Sequence, residues 1–286
     1  MREGRRAVLT VFTGLSTIAC GISPDTPMGV APYPTSTRSI PSELSPVPSD
    51  REVILSYVST LSIQKDPTEV GRWANIRSLN PPIRKQEITD NDKSLAERRL
   101  VAVLNEMNRS NIKPFRDAHD VLTSHRNKDA SIGVYKNLSS VLKTEDAYQM
   151  VALPLYKNDS VEIHIGLDTK HILETDLLVL ATEIVHEVTH LQEYLGFLTA
   201  LDPSHGPFEK FIELKGIETN DQIRFEGELV AYKIQAESYM HAIAQGHTIT
   251  SRFDDELAAT LIRANGDIHT PAYQELIKKL SPESRI

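Results

Sequence analysis

From Arg51 onward the spacing of apolar residues is mostly helical. Val53, Ile54, Tyr57, Val58 and Leu61 recur three and four apart, which predicts a helix over residues 51–63, and the same rhythm predicts helices over 93–107 and 114–124. Between Asp146 and Asp168 the period drops to two. Met150 to Tyr156 is an apolar run and Lys157-Asn158-Asp159-Ser160 a polar break; Val161, Ile163 and Ile165 then alternate with Glu162 and His164, the pattern of a β-hairpin. Helical spacing returns over 175–195, 222–245 and 253–264, closed in turn by Gly196, Gly246 and Asn265-Gly266, with a short last helix over 271–280. Glycine just past a periodic run suits the left-handed residue that ends many helices. With no repeat of 20–50 residues to suggest a solenoid, the expectation is a mostly helical α+β fold.

The first fifty residues show neither period. Arg2, Arg5 and Arg6 precede an uncharged stretch over 7–22, short for a membrane span, which runs through Ser16-Thr17-Ile18-Ala19 into Cys20, the single cysteine of the chain. This resembles a bacterial lipoprotein signal, in which the cysteine is lipidated and becomes the mature N-terminus, although Thr17 stands where that family usually has Leu. An ordinary cleaved signal or an uncleaved anchor would use the same features. All three place the body across the cytoplasmic membrane, and the lipid would fasten it at the cell envelope. Residues 21–50 change composition: seven of the chain's 16 prolines and nine Ser or Thr fall in 23–50, as in a disordered tether. The division expected is a signal over 1–20, a tether over 21–50, a helical N-terminal lobe over 51–145 and a core over 146–286.

Charge narrows the partners. Lys and Arg number 31 against 39 Asp and Glu, a formal −8, and removing residues 1–19 takes away three Arg and one Glu to leave −10. No basic excess remains to neutralise nucleic-acid phosphates or to bind anionic lipid. One cysteine also excludes an intramolecular disulfide and a cysteine-built zinc knuckle.

The helix over 175–195 carries the chemistry. Within it stands His186-Glu187-Val188-Thr189-His190, an HExxH motif, for which chance predicts roughly 0.03 occurrences in a chain of this composition. Residues four apart share a helix face at about 5–6 Å, so both imidazoles can reach one Zn²⁺, with Glu187 beside it as a base for water. Leu177, Leu180, Ala181, Ile184, Val188, Leu191 and Leu195 form the opposite, apolar stripe. A catalytic zinc site needs a third protein ligand and one open position. The cysteine-ligand arrangement of peptide deformylases is excluded beyond Cys20, and the metzincin pattern fails because Glu193 and Gly196 stand where Gly and His are required. A glutamate from the helix over 222–245 remains. Glu228 shares a face with Ala231, Tyr232, Gln235 and Tyr239 and is the preferred third ligand; Glu226, on the side of Lys233 and Glu237, and His205 compete with it.

The sequence Glu183-Ile-Val-His186-Glu187-Val-Thr-His190, followed by Glu228-Leu-Val-Ala231-Tyr232, resembles the small gluzincin metallopeptidases, whose pattern is HExxH plus a downstream ExxA or ExxxD helix. Two departures stand out: 38 residues separate His190 from Glu228, more than in thermolysin-like members, and Tyr232 replaces a common Asp. The resemblance implies a zincin-like core, zinc-dependent hydrolysis of peptides or proteins, and Val161–Ile165 as an edge strand that pairs with an extended substrate. Tyr232, His205, Tyr239 and His164 are the candidates for stabilising the oxyanion or supporting the ligands. Two rival readings use the same residues. Glu183-xx-His186 and Glu187-xx-His190 are the ExxH units of ferritin-like di-iron bundles, but no matching ExxH follows, since Glu237 and His241 are four apart. A lipid-tethered, non-catalytic zinc-binding domain is the other.

Overall fold

The two-residue turn Asn158-Asp159, with φ of 50° and 57°, joins strand β2 (Met150–Lys157) to β3 (Ser160–Asp168). Both residues lie in the left-handed region, as the type I′ turn of a tight hairpin requires, and Asn and Asp tolerate it well. These features belong to a computed structural model of the chain, which describes residues 50–248 except 64, 79–86, 126–127 and 144–148. The signal and tether, Cys20 among them, and the helices expected over 253–264 and 271–280 lie outside the described residues. The described residues all fall within one compact unit.

The remaining described elements are α1 (Asp50–Thr60), α2 (Pro67–Ser78), α3 (Asp90–Arg109), α4 (Lys113–His125), β1 (Ala130–Tyr135), α5 (Leu138–Leu142), α6 (Thr169–Glu174), α7 (Leu177–Ala200), α8 (Pro207–Glu218) and α9 (Asp221–Gln245). The fold is α+β and mostly helical, as the periodicity predicts. No helix among the described residues is long and apolar enough to cross a membrane.

The sheet corrects one expectation. Its order is β1-β3-β2, with β1 parallel and β2 antiparallel to β3, so the strand that contains Val161–Ile165 is central and not an edge. β1 went unread because Ala-Ser-Ile-Gly-Val-Tyr is short and glycine-bearing, with no hairpin signal beside it. Asp168 N–H donates to the carbonyl of Gln149, which sets the ladder: Val151, Leu153 and Leu155 turn their backbone groups toward β3, while Ala152 and Pro154 turn theirs outward. Pro154, which has no N–H, therefore sits where the ladder does not need one. β2 is the edge strand on this side.

One face of the sheet, with Ala130, Val134, Ala152, Val161, Ile163, Ile165 and Leu167, is buried in the main core. α7 lies against that core and against α3, α4, α9, β2 and β3. Its Leu178, Leu180, Ala181, Ile184, Val185, Val188 and Leu191 are all buried. Asp176 caps its first turn by accepting from Leu178 N–H. Gly196 does not end the helix, as the spacing suggests; α7 runs on to Ala200, and Leu201 N–H closes it on the Phe197 carbonyl. Leu195, Phe197, Leu198 and Leu201 all pack on the core, and that burial outweighs the roughly 1 kcal/mol cost of a helical glycine. Gly246 does terminate α9. Its φ is +100°, its N–H donates to Ile243 and that of His247 to Ala242, a Schellman ending.

The described helices before residue 144 share a core with the elements that follow. β1 is hydrogen-bonded to β3, and Val103, Met107, Phe115 and Leu122 of α3 and α4 share one hydrophobic cluster with α7. Buried Arg99 of α3 donates to the Ile172 and Thr175 carbonyls at the end of α6, tying these helices to the start of α7.

Candidate metal centre

α7 presents His186 and His190 one turn apart, on the side away from its apolar stripe, and their Nε2 atoms approach to 3.2 Å. α9 packs against α7, and its Ala231 is fully buried. Glu228, one turn earlier, reaches both rings. Its Oε2 lies 3.3 Å from His186 Nε2 and its Oε1 3.5 Å from His190 Nε2. Three ligand atoms bound at about 2.0–2.1 Å in tetrahedral array stand about 3.3 Å apart, so these separations match one face of such a tetrahedron. Two imidazoles and a carboxylate are also a donor set that suits a divalent transition metal. Among the described residues this is the one His/Cys/Asp/Glu group so gathered.

The electrostatics agree with the geometry. Burial opposes the charge on Glu228, but the two imidazoles outweigh it and hold its carboxyl below the ordinary range. Burial likewise opposes the imidazolium of His190, yet Glu193 and Glu228 on its two sides raise its pKa to about 10. The carboxylates on its two sides therefore favour the charged form of the His190 ring.

Glu187 follows His186 and points toward β2. Burial raises its pKa, partly offset by the neighbouring imidazoles and by a hydrogen bond that the carboxylate accepts from the outward-facing Ala152 N–H. A carboxylate placed there can accept a proton and return it.

The other residues singled out in the sequence fall elsewhere. Glu226 is exposed on α9 outside the triad. His205 lies 2.5 Å from Glu213 and 4.0 Å from Asp202 and is not part of the group. Tyr232 sets its ring edgewise against His186, with centroids 4.4 Å apart. Tyr239 is a buried core residue. His164 belongs to the sheet face opposite the main core, where Ser131 and Tyr135 each lie 2.7 Å from one of its ring nitrogens, so it cannot face an oxyanion at the triad. A ferritin-like site does not assemble either. Glu183 pairs with His171 at 2.8 Å, and His241, 13 residues beyond Glu228, is about 20 Å further along α9.

Three contributors escape a reading of the sequence. Ala152 acts through its backbone, which no residue type announces. Glu193, three residues past His190, shares the polar stripe of α7 with His186 and His190, but nothing in the sequence ties it to one ring. Gly227 matters because the Glu193 carboxylate packs where its Cβ would be.

No known protein family, characterised protein or solved structure matches this chain.

Proposed function

We propose that this chain is a zinc-dependent metallopeptidase of the gluzincin kind, secreted across the cytoplasmic membrane and lipid-anchored through Cys20 at a bacterial cell envelope. The observation that carries the reading is the His186, His190 and Glu228 cluster, with ligand-atom separations of 3.2–3.5 Å and Glu187 adjoining it. Two imidazoles and one carboxylate are the zinc ligands of many hydrolytic sites, and one position stays open for water or substrate. Zinc, when bound, supplies Lewis acidity that makes water nucleophilic near neutral pH and polarises a carbonyl.

The residues of the chain do the rest. Glu187 takes a proton from the attacking water as its oxygen bonds to the scissile carbonyl carbon. It then passes that proton to the amide nitrogen as the C–N bond breaks, releasing an amine and a carboxylic acid whose remaining proton moves to the amine at neutral pH. The Ala152 N–H keeps the Glu187 carboxylate turned toward the edge strand. In this reading α7, α9 and the antiparallel edge strand β2 form a zincin-like core, with the helices of 51–145 as its N-terminal part. The substrate is an extended peptide or protein segment, for which β2, rather than β3, is the edge; the main-chain groups it could offer are chiefly its outward carbonyls, since Pro154 has no N–H and that of Ala152 is turned to Glu187.

The test is metal content and hydrolysis on the full chain purified in detergent. About one zinc per chain is expected. Glu187→Gln should keep the metal and lower hydrolysis of a mixed peptide library by about 10²–10⁴-fold. A chain that holds no zinc after reconstitution at neutral pH refutes the reading; zinc without turnover in the wild type makes it a binding domain.

A further inference from the structure

Building on the zinc-site reading, we infer that Glu193 is a positioning residue for His190, and that residue 227 is glycine because the Glu193 carboxylate needs the space. The ring of His190 has two faces to account for. Its Nε2 looks at Glu228 and His186, at 3.5 Å and 3.2 Å. Its Nδ1 looks at Oε2 of Glu193, at 3.5 Å. A carboxylate at Nδ1 favours the tautomer with the proton on that nitrogen, which leaves the Nε2 lone pair aimed at the ligand cluster.

Glu193 is placed from two directions. It is three residues past His190 on α7, close enough to lie over the same face. From the other side α9 closes on it: a Cβ added at Gly227 would stand 2.9 Å from Oε1 and nearer still to Oε2, inside van der Waals contact. Gly227 and Glu228 are consecutive, so one turn of α9 delivers both the room for the orienting carboxylate and the third ligand.

The two histidines differ in this respect. His186 Nδ1 is buried with no hydrogen-bond partner among the described residues, and its ring is steadied by packing against Tyr232. His190 is thus the ligand whose direction a charged group controls. The loss of Glu193 should be felt in metal affinity rather than in the fold, because its side chain is 31% exposed.

The experiment measures zinc affinity of the full chain in detergent by competition with a chromogenic chelator, with circular dichroism and thermal melts as controls. Glu193→Ala should weaken the zinc affinity corrected for proton release, obtained from competition at several pH values, about 10–100-fold, the range seen when a partner of a ligating histidine is removed. Glu193→Gln, whose amide oxygen can still accept from Nδ1, should recover most of that loss. Gly227→Ala should weaken zinc because it displaces the same carboxylate, and the double variant Gly227→Ala/Glu193→Ala should bind no more weakly than Glu193→Ala alone. Affinity within twofold of wild type in Glu193→Ala, or a double variant that sums both losses, overturns the inference. If Gly227→Ala melts early, the Ala and Gln variants at 193 decide it between them. A wild-type chain that binds no zinc is a different result, because it removes the metallopeptidase reading itself.

Discussion

Zinc binding at this site should expel a proton, and the pH dependence of affinity measures how firmly that proton is held. Ligating nitrogens must be deprotonated, so metal competes with protons for His190. The ring lies between Glu193 at 3.5 Å and Glu228 at 3.5 Å, and against the cost of burial these carboxylates raise its pKa to about 10. Below that value one proton leaves for each zinc bound, and apparent affinity rises tenfold per pH unit. Between pH 6.5 and 8.5 the gain from His190 alone is about a hundredfold. An ordinary histidine, with a pKa near 6.5, would give about twofold over the same range. Chelator competition at pH 6.5, 7.5 and 8.5, corrected for chelator protonation, gives the slope. Calorimetry in two buffers of different ionisation enthalpy counts the proton directly. A twofold change, with no proton released at pH 8, would refute the arrangement in which two carboxylates share His190.

Other outcomes follow from the fold. His171, paired with Glu183 at 2.8 Å, has its pKa raised because the carboxylate outweighs burial. The pair should therefore contribute fully below about pH 6.5 and fade as pH climbs through the raised value. Thermal melts of wild type and Glu183→Gln should differ most at pH 6 and converge on the alkaline side; a gap that widens with pH contradicts this. Ile184 is fully buried on the apolar stripe of α7, so Ile184→Ala should cost about 2–5 kcal/mol in urea unfolding, and a loss below 1 kcal/mol would mean that α7 is not central to the core. A Cβ at Gly166 would meet Leu138 at 2.8 Å, so Gly166→Ala should destabilise by about 1–3 kcal/mol on the same assay, with zinc content unchanged.

Local signals account for much of what was legible. The hairpin was visible because its period of two and its Asn-Asp turn are adjacent in the chain, and the ending of α9 because Gly246 stands directly after the periodic run. HExxH is a four-residue spacing on one helix, so singling out His186, Glu187 and His190 needed no tertiary information. Glu228 was reached by the company it keeps on its own helix, again a local property. Gly196 misled for the complementary reason: propensity favours a stop there, and only packing of Phe197, Leu198 and Leu201 on distant residues carries the helix through.

By itself, then, the chain's order of residues determined the mostly helical α+β class, the hairpin, and which side chains on α7 and α9 could hold a metal, because periodicity and capping act within a few residues. Tertiary structure decided the rest. Pairing of β1 with β3, across some thirty residues, made the second hairpin strand central and left β2 as the edge that holds Glu187. The packing of α9 against α7 brought Glu228 to both imidazoles, excluded Glu226 and His205, and set Gly227 against Glu193. Those relations depend on distances between segments far apart in the chain, fixed by the apolar area the whole fold can bury, and no local pattern encodes them.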